Sequence, residues 1–161
     1  DFYELPDLLT DRLFCFHLVD NTRGQTLPFA PQEIKESNIQ IEVQIRRQTS
    51  VQIKITGHSK AVSKGLWLLG ENDWTPNYEL NHGIETNLLG QATYNLGLEK
   101  FTEFEMVAIG KRNGKTRHNG RQNSPDTGYV GFLFTLAGNK PSDRIAPAFV
   151  DVYNADWIIQ P

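Results

Sequence analysis

The plainest pattern along the chain has a period of two. Ile39, Ile41, Val43 and Ile45 alternate with Gln40, Glu42, Gln44 and Arg46, and Val51, Ile53 and Ile55 alternate with Gln52 and Lys54. Successive side chains of a strand point to opposite faces, so each run predicts a strand with one apolar and one polar face. Arg47-Gln48-Thr49-Ser50 between them predicts a hairpin turn. The apolar set is β-branched throughout, which suits a half-buried pleated surface.

The rest of the chain reads in the same way with less regularity. Arg12 to Val19 is almost continuously apolar and predicts a strand buried on both faces. Residues 65–70, 92–98, 103–110 and 129–137 predict further strands, the third with Phe104, Met106 and Ala108 on one face. Phe149–Tyr153 and Trp157–Ile159 are the last strand candidates. Residues 1–11, with Pro6 and three aspartates, predict an irregular arm. Residues 21–31 predict a loop, and Pro31 can open one helical turn after it. Residues 71–91 and 111–128 predict long loops, and 139–147 a turn-rich connection.

About eight short strands with no long amphipathic helix predict an all-β fold, a β-sandwich or jelly roll, with a closed β-barrel as the second choice. A chain of 161 residues fits one domain, 1–161, of which 1–11 is the arm. Hydrophobic residues make up 39% and charged residues 22%, a balance that excludes disorder and collagen-like repeats. No apolar run reaches the roughly 18–20 residues of a membrane helix, so no membrane partner is expected. The N-terminal stretch Asp1-Phe2-Tyr3-Glu4-Leu5-Pro6 is not an intact signal peptide. The single cysteine and the lack of any Asn-x-Ser/Thr acceptor point to a reducing, cytoplasmic setting.

The distribution of charge is more telling than the composition. The net charge is −3, but residues 111–122 hold five cations, Lys111, Arg112, Lys115, Arg117 and Arg121, and no acid. Setting these five aside leaves 11 basic residues against 19 acidic ones, a balance of −8. Forked guanidinium groups hold phosphate, sulfate and carboxylate, and the Asn113-Gly114 and Asn119-Gly120 pairs favour tight turns that aim several N–H groups at one point. The expected ligand-binding residues are therefore Lys111, Arg112, Lys115, Arg117, His118 and Arg121. Trp74 and Tyr78, beside Glu71, Asn72 and Asp73, add a stacking and hydrogen-bonding contribution of the kind a sugar site needs. The same oxygens match no calcium-loop signature.

The leading expectation is a non-enzymatic binding module for an anionic polymer or acidic glycan. An enzyme is the rival, with an acid or base drawn from Glu71, Asp73, His82, His118 and Asp126 in a cleft between residues 71–91 and 111–128. A third reading is an assembly subunit that docks through the polar hairpin face or the N-terminal arm. No cofactor is expected. His17, His58, His82 and His118 lack metal-ligand spacing, so no metal is expected either. Cys15, in an apolar run, reads as an inert buried thiol, with His17 two positions on as the only hint of a nucleophile.

Overall fold

The computed structural model describes residues 1–23, 28–64, 81–114, 121 and 123–144. The fold is all-β in class, and the described strands form one antiparallel sheet rather than the two layers of a sandwich. The chain opens with β1 (Phe2–Glu4) and α1 (Asp7–Phe16). After a 3₁₀ turn at Pro31–Glu33 come β2 (Ile34–Arg46), β3 (Ser50–Ser63), β4 (His82–Asn95), β5 (Lys100–Gly114) and β6 (Thr127–Thr135). Strand order follows chain order from β1 to β6, a meander in which each strand pairs with the next.

The second layer is helical. Arg12–Val19 is not a strand: residues 12–16 complete α1 and the rest follow it. The run is apolar enough for either element, but Val19 is its only β-branched residue. Thr10, Phe14 and Leu18, four apart, are all buried, which is a helical spacing. Pro6 precedes the first turn, and the Thr10 hydroxyl donates to the Asp7 carbonyl. The expected N-terminal arm is therefore β1 followed by the start of this helix, and Leu5 N–H donates to the Ile39 carbonyl to hold it down.

The expected hairpin is present and longer than the alternation suggested. Register pairs Ile41 with Ile55 and Val43 with Ile53, with a bulge between Val43 and Ile45. Helix α1 covers the inner sheet face. Phe14 and Leu18 pack with Ile39, Ile55, Leu88, Ala92, Met106 and Ala108 in the main core. Val19 and Phe29 pack with Ala61, Ile84 and Val130 at one end. Phe104, Met106 and Ala108 share the inner face, as the alternation predicts. One polar pair is sealed into this face, Ser59 Oγ and Thr86 Oγ1 at 2.7 Å.

Two expected loops are partly strand. The 71–91 segment is already in β4 from His82, and the 111–128 segment is still in β5 as far as Gly114, where φ is +75° and the strand ends. Residues 65–70, Phe149–Tyr153 and Trp157–Ile159, expected as strands, lie outside the described residues.

Candidate interaction face and the basic segment

Because β5 runs on to Gly114, Lys111 and Arg112 occupy adjacent strand positions and point to opposite faces. Lys111 is exposed on the outer face, its Nζ 6.0 Å from the centre of the Tyr129 ring. Arg112 points inward and is 5% exposed. Its Nε lies 3.4 Å from Asp20 Oδ2, and its Nη groups donate to the carbonyls of Gly114 and Pro125. Arg121 is 8% exposed and grips the same carboxylate in a fork, Nε to Oδ2 at 2.9 Å and Nη2 to Oδ1 at 2.7 Å. It also donates to Thr22 Oγ1, and the Thr22 hydroxyl donates to Asp20 Oδ1.

Arg112 and Arg121 are thus not ligand-facing, contrary to the sequence expectation. One carboxylate, carried just beyond α1, draws together the two ends of the 113–120 segment. Burial raises the pKa of the Asp20 carboxyl. The hydrogen bonds from Arg121 and Thr22 and the charges of Arg121 and Arg112 outweigh that and hold it below the usual carboxylate range. The same contacts raise Arg121 further. Sequence spacing gave no sign of this clasp, because Asp20 and Arg121 are 101 positions apart.

Lys115, Arg117, His118, Trp74, Tyr78, Glu71 and Asp73 lie outside the described residues. The strand ends that border residues 65–80 and 115–120 nevertheless lie together at one end of the sheet. His82 is paired with Gly114, whose N–H donates to the Asp126 carbonyl. His82 stacks on Phe29 with ring centres 5.3 Å apart, and its Nδ1 finds no hydrogen-bond partner among the described residues. Burial pushes its pKa down against a smaller upward pull from Glu33. Burial, with Asp11 and Glu33 adding to it, pushes the Cys15 thiol up to about 12, the opposite of an activated nucleophile. No group of side chains suited to a metal ion occurs among the described residues.

The outer face of the sheet is the feature that sequence reasoning missed. Register places Gln40, Thr56, Leu89, Val107 and Leu133 in one row across β2 to β6. Ile109 stands one row along on β5. Leu89, Ile109 and Leu133 are 55%, 59% and 64% exposed, and Tyr129 at the edge is 81% exposed. These residues form a stripe over β4, β5 and β6 on a face that no described element covers. Charged rows border it. On one side Lys60 Nζ lies 3.2 Å from Glu85 and 3.9 Å from Glu36, with His58 between the same two carboxylates. Lys60, by hydrogen bond and charge, holds the Glu85 carboxyl below its usual range. On the other side a trough of about 1000 Å³ is lined by Gln52, Lys54, Gln91, Glu103 and Glu105 around Leu89 and Val107.

The signal in the sequence was a doubling of apolar positions: Leu88-Leu89, Val107 and Ile109 beside Met106 and Ala108, and Phe132-Leu133-Phe134. Such runs read as strands covered on both sides, and the described residues cover only one side.

The described residues define a one-sheet, helix-backed β scaffold with an apolar outer surface that none of them covers. No family model, curated protein or solved structure matches the chain. Among the described residues, no helix is long and apolar enough to cross a membrane.

Proposed function

We propose that this chain is a non-enzymatic interaction domain that binds its partner on the outer face of the sheet, which no described element covers. One observation carries the reading: Leu89, Ile109 and Leu133 stand side by side, each more than half exposed, on regular strands. Isolated exposed apolar residues are ordinary, but a contiguous stripe rimmed by charge is the anatomy of a protein-binding surface. The scaffold is suited to the task, because register and core packing on the inner face fix the positions of the outer side chains. Hydroxyl-radical footprinting of the dilute, monomeric protein tests it. Leu89, Ile109, Leu133 and Tyr129 are expected to be oxidised readily, while Leu18, Phe14 and Leu88 are spared. Protection of the stripe in a monomer would overturn the reading.

A second reading, an anionic polymer or acidic glycan bound at the basic segment, is favoured by the exposed Lys111 beside Tyr129. In that reading Lys115, Arg117 and His118 make the contacts and the Asp20 clasp holds the loop ends from below. Binding of a sulfated polysaccharide that weakens with salt and is lost in Lys115→Ala/Arg117→Ala supports it. Equal binding by wild type and that variant overturns it.

A further inference from the structure

We infer that the outer face is covered by a second copy of this chain, packed sheet to sheet across a two-fold axis that crosses the strands near Val107. The inference rests on the interaction-face reading and names its partner.

The outward positions of β5 have a built-in polarity. They read Glu103, Glu105, Val107, Ile109, Lys111, so the strand carries acid at one end, apolar residues in the middle and base at the other. Glu103 and Lys111 lie four positions either side of Val107. An isologous interface sets each patch against itself, and a two-fold axis across the strands reverses their direction. Such an axis lays Val107 on Val107, Leu89 on Leu89 and Leu133 on Leu133. It brings Lys111 of one copy over Glu103 of the other, twice per interface. On β4 the same operation sets Asn87 over Gln91, two amides able to bond each other. The trough lined by Glu103, Glu105 and Gln91 would then receive Ile109 and Lys111 of the second copy. A two-fold axis along the strands would set Lys111 on Lys111 and Glu103 on Glu103, so charge selects the first arrangement.

The ends of the stripe are free to take part. Among the described residues Lys111 contacts the Tyr129 ring, and Glu103 accepts a hydrogen bond from the Thr93 hydroxyl at 2.7 Å, which leaves its charge exposed.

The test is sedimentation velocity over a concentration series of the full chain. Wild type is expected to associate. Lys111→Glu and Glu103→Lys are each expected to associate roughly tenfold more weakly or worse, because both ion pairs become repulsions. An equimolar mixture of these two variants is expected to re-form a dimer at near wild-type strength, since both pairs are then restored between unlike chains. The chain carrying both reversals is expected to associate with itself. These rescues separate a lost contact from a folding defect, and Leu133→Glu, with an unchanged thermal melt, is expected to stay monomeric. If wild type remains a monomer throughout, the second-copy inference is overturned, while labelling of the stripe in the dilute protein still stands for the open face. If wild type associates but the mixture does not recover, the antiparallel packing is wrong.

Discussion

Replacing Asp20 by Asn keeps the shape of the side chain and removes the charge that two buried guanidinium groups share. Arg112 and Arg121 are 5% and 8% exposed, so water cannot take over from the lost carboxylate without the structure opening. Three direct contacts weaken at once: the forked pair from Arg121 at 2.9 and 2.7 Å and the Arg112 approach at 3.4 Å. Removing one partner of a buried, hydrogen-bonded ion pair costs about 3–5 kcal/mol, most of it from the uncompensated charge left behind. For a domain of this length that corresponds to a fall in melting temperature of about 6–20 °C. Urea denaturation of wild type, Asp20→Asn, Arg121→Gln and the double variant measures it. The double variant is expected to lose less than the sum of the singles, because each single change already breaks the shared contact. A loss of under about 1 kcal/mol in Asp20→Asn, the size of an exposed ion pair, would refute the claim of a buried clasp.

Other consequences follow from the interior. Thr86→Val strands the Ser59 hydroxyl on the inner face and is expected to cost about 1–3 kcal/mol, whereas Ser59→Ala/Thr86→Val together is expected to be nearly neutral; denaturant midpoints decide it. Cys15, fully buried and with its thiol pushed up to about 12, is expected to resist thiol reagents in the native protein and react only after unfolding. Stability is expected to fall on the acid side in two stages. His82 binds its proton less readily folded than unfolded, so the unfolded chain gains protons first as pH drops below the ordinary value of 6.5, and stability declines there. Asp20 has a folded pKa below its ordinary 3.8, so its contribution is present above that value and is lost as pH falls through the folded one. Thermal melts from pH 7 downward check this, and in His82→Gln the first decline should shrink.

The inner half of the fold was legible because it follows periodicity. The alternation of Ile39 to Val43 and of Val51 to Ile55 marks β2, β3 and their inner face, and Phe104, Met106 and Ala108 do the same for β5; the shift after Val43, which leaves Ile45 exposed, had no sign in it. Helix α1 was misread because a short apolar run has no period of its own; only the fourfold spacing of Thr10, Phe14 and Leu18 distinguished it from a strand. The basic segment was legible as charge but not as vacancy. Whether a guanidinium is free depends on what lies against it, and for Arg112 and Arg121 that is an aspartate about a hundred positions earlier. The open face was invisible for a related reason. Leu89, Val107, Ile109 and Leu133 are ordinary strand residues until register puts them in adjacent rows with no described residue above them.

The most direct measurement of the account is an electron spin–spin distance across the dimer, with nitroxide labels on single cysteines at Thr127 or Thr135 of β6 and the native Cys15 too buried to react. At about 3.4 Å per residue and a sheet separation of about 10 Å, the antiparallel packing puts paired 127 positions roughly 42 Å apart and paired 135 positions roughly 17 Å apart. One long and one short distance is the predicted result. Two similar short distances, or no dipolar coupling at any concentration, would contradict it.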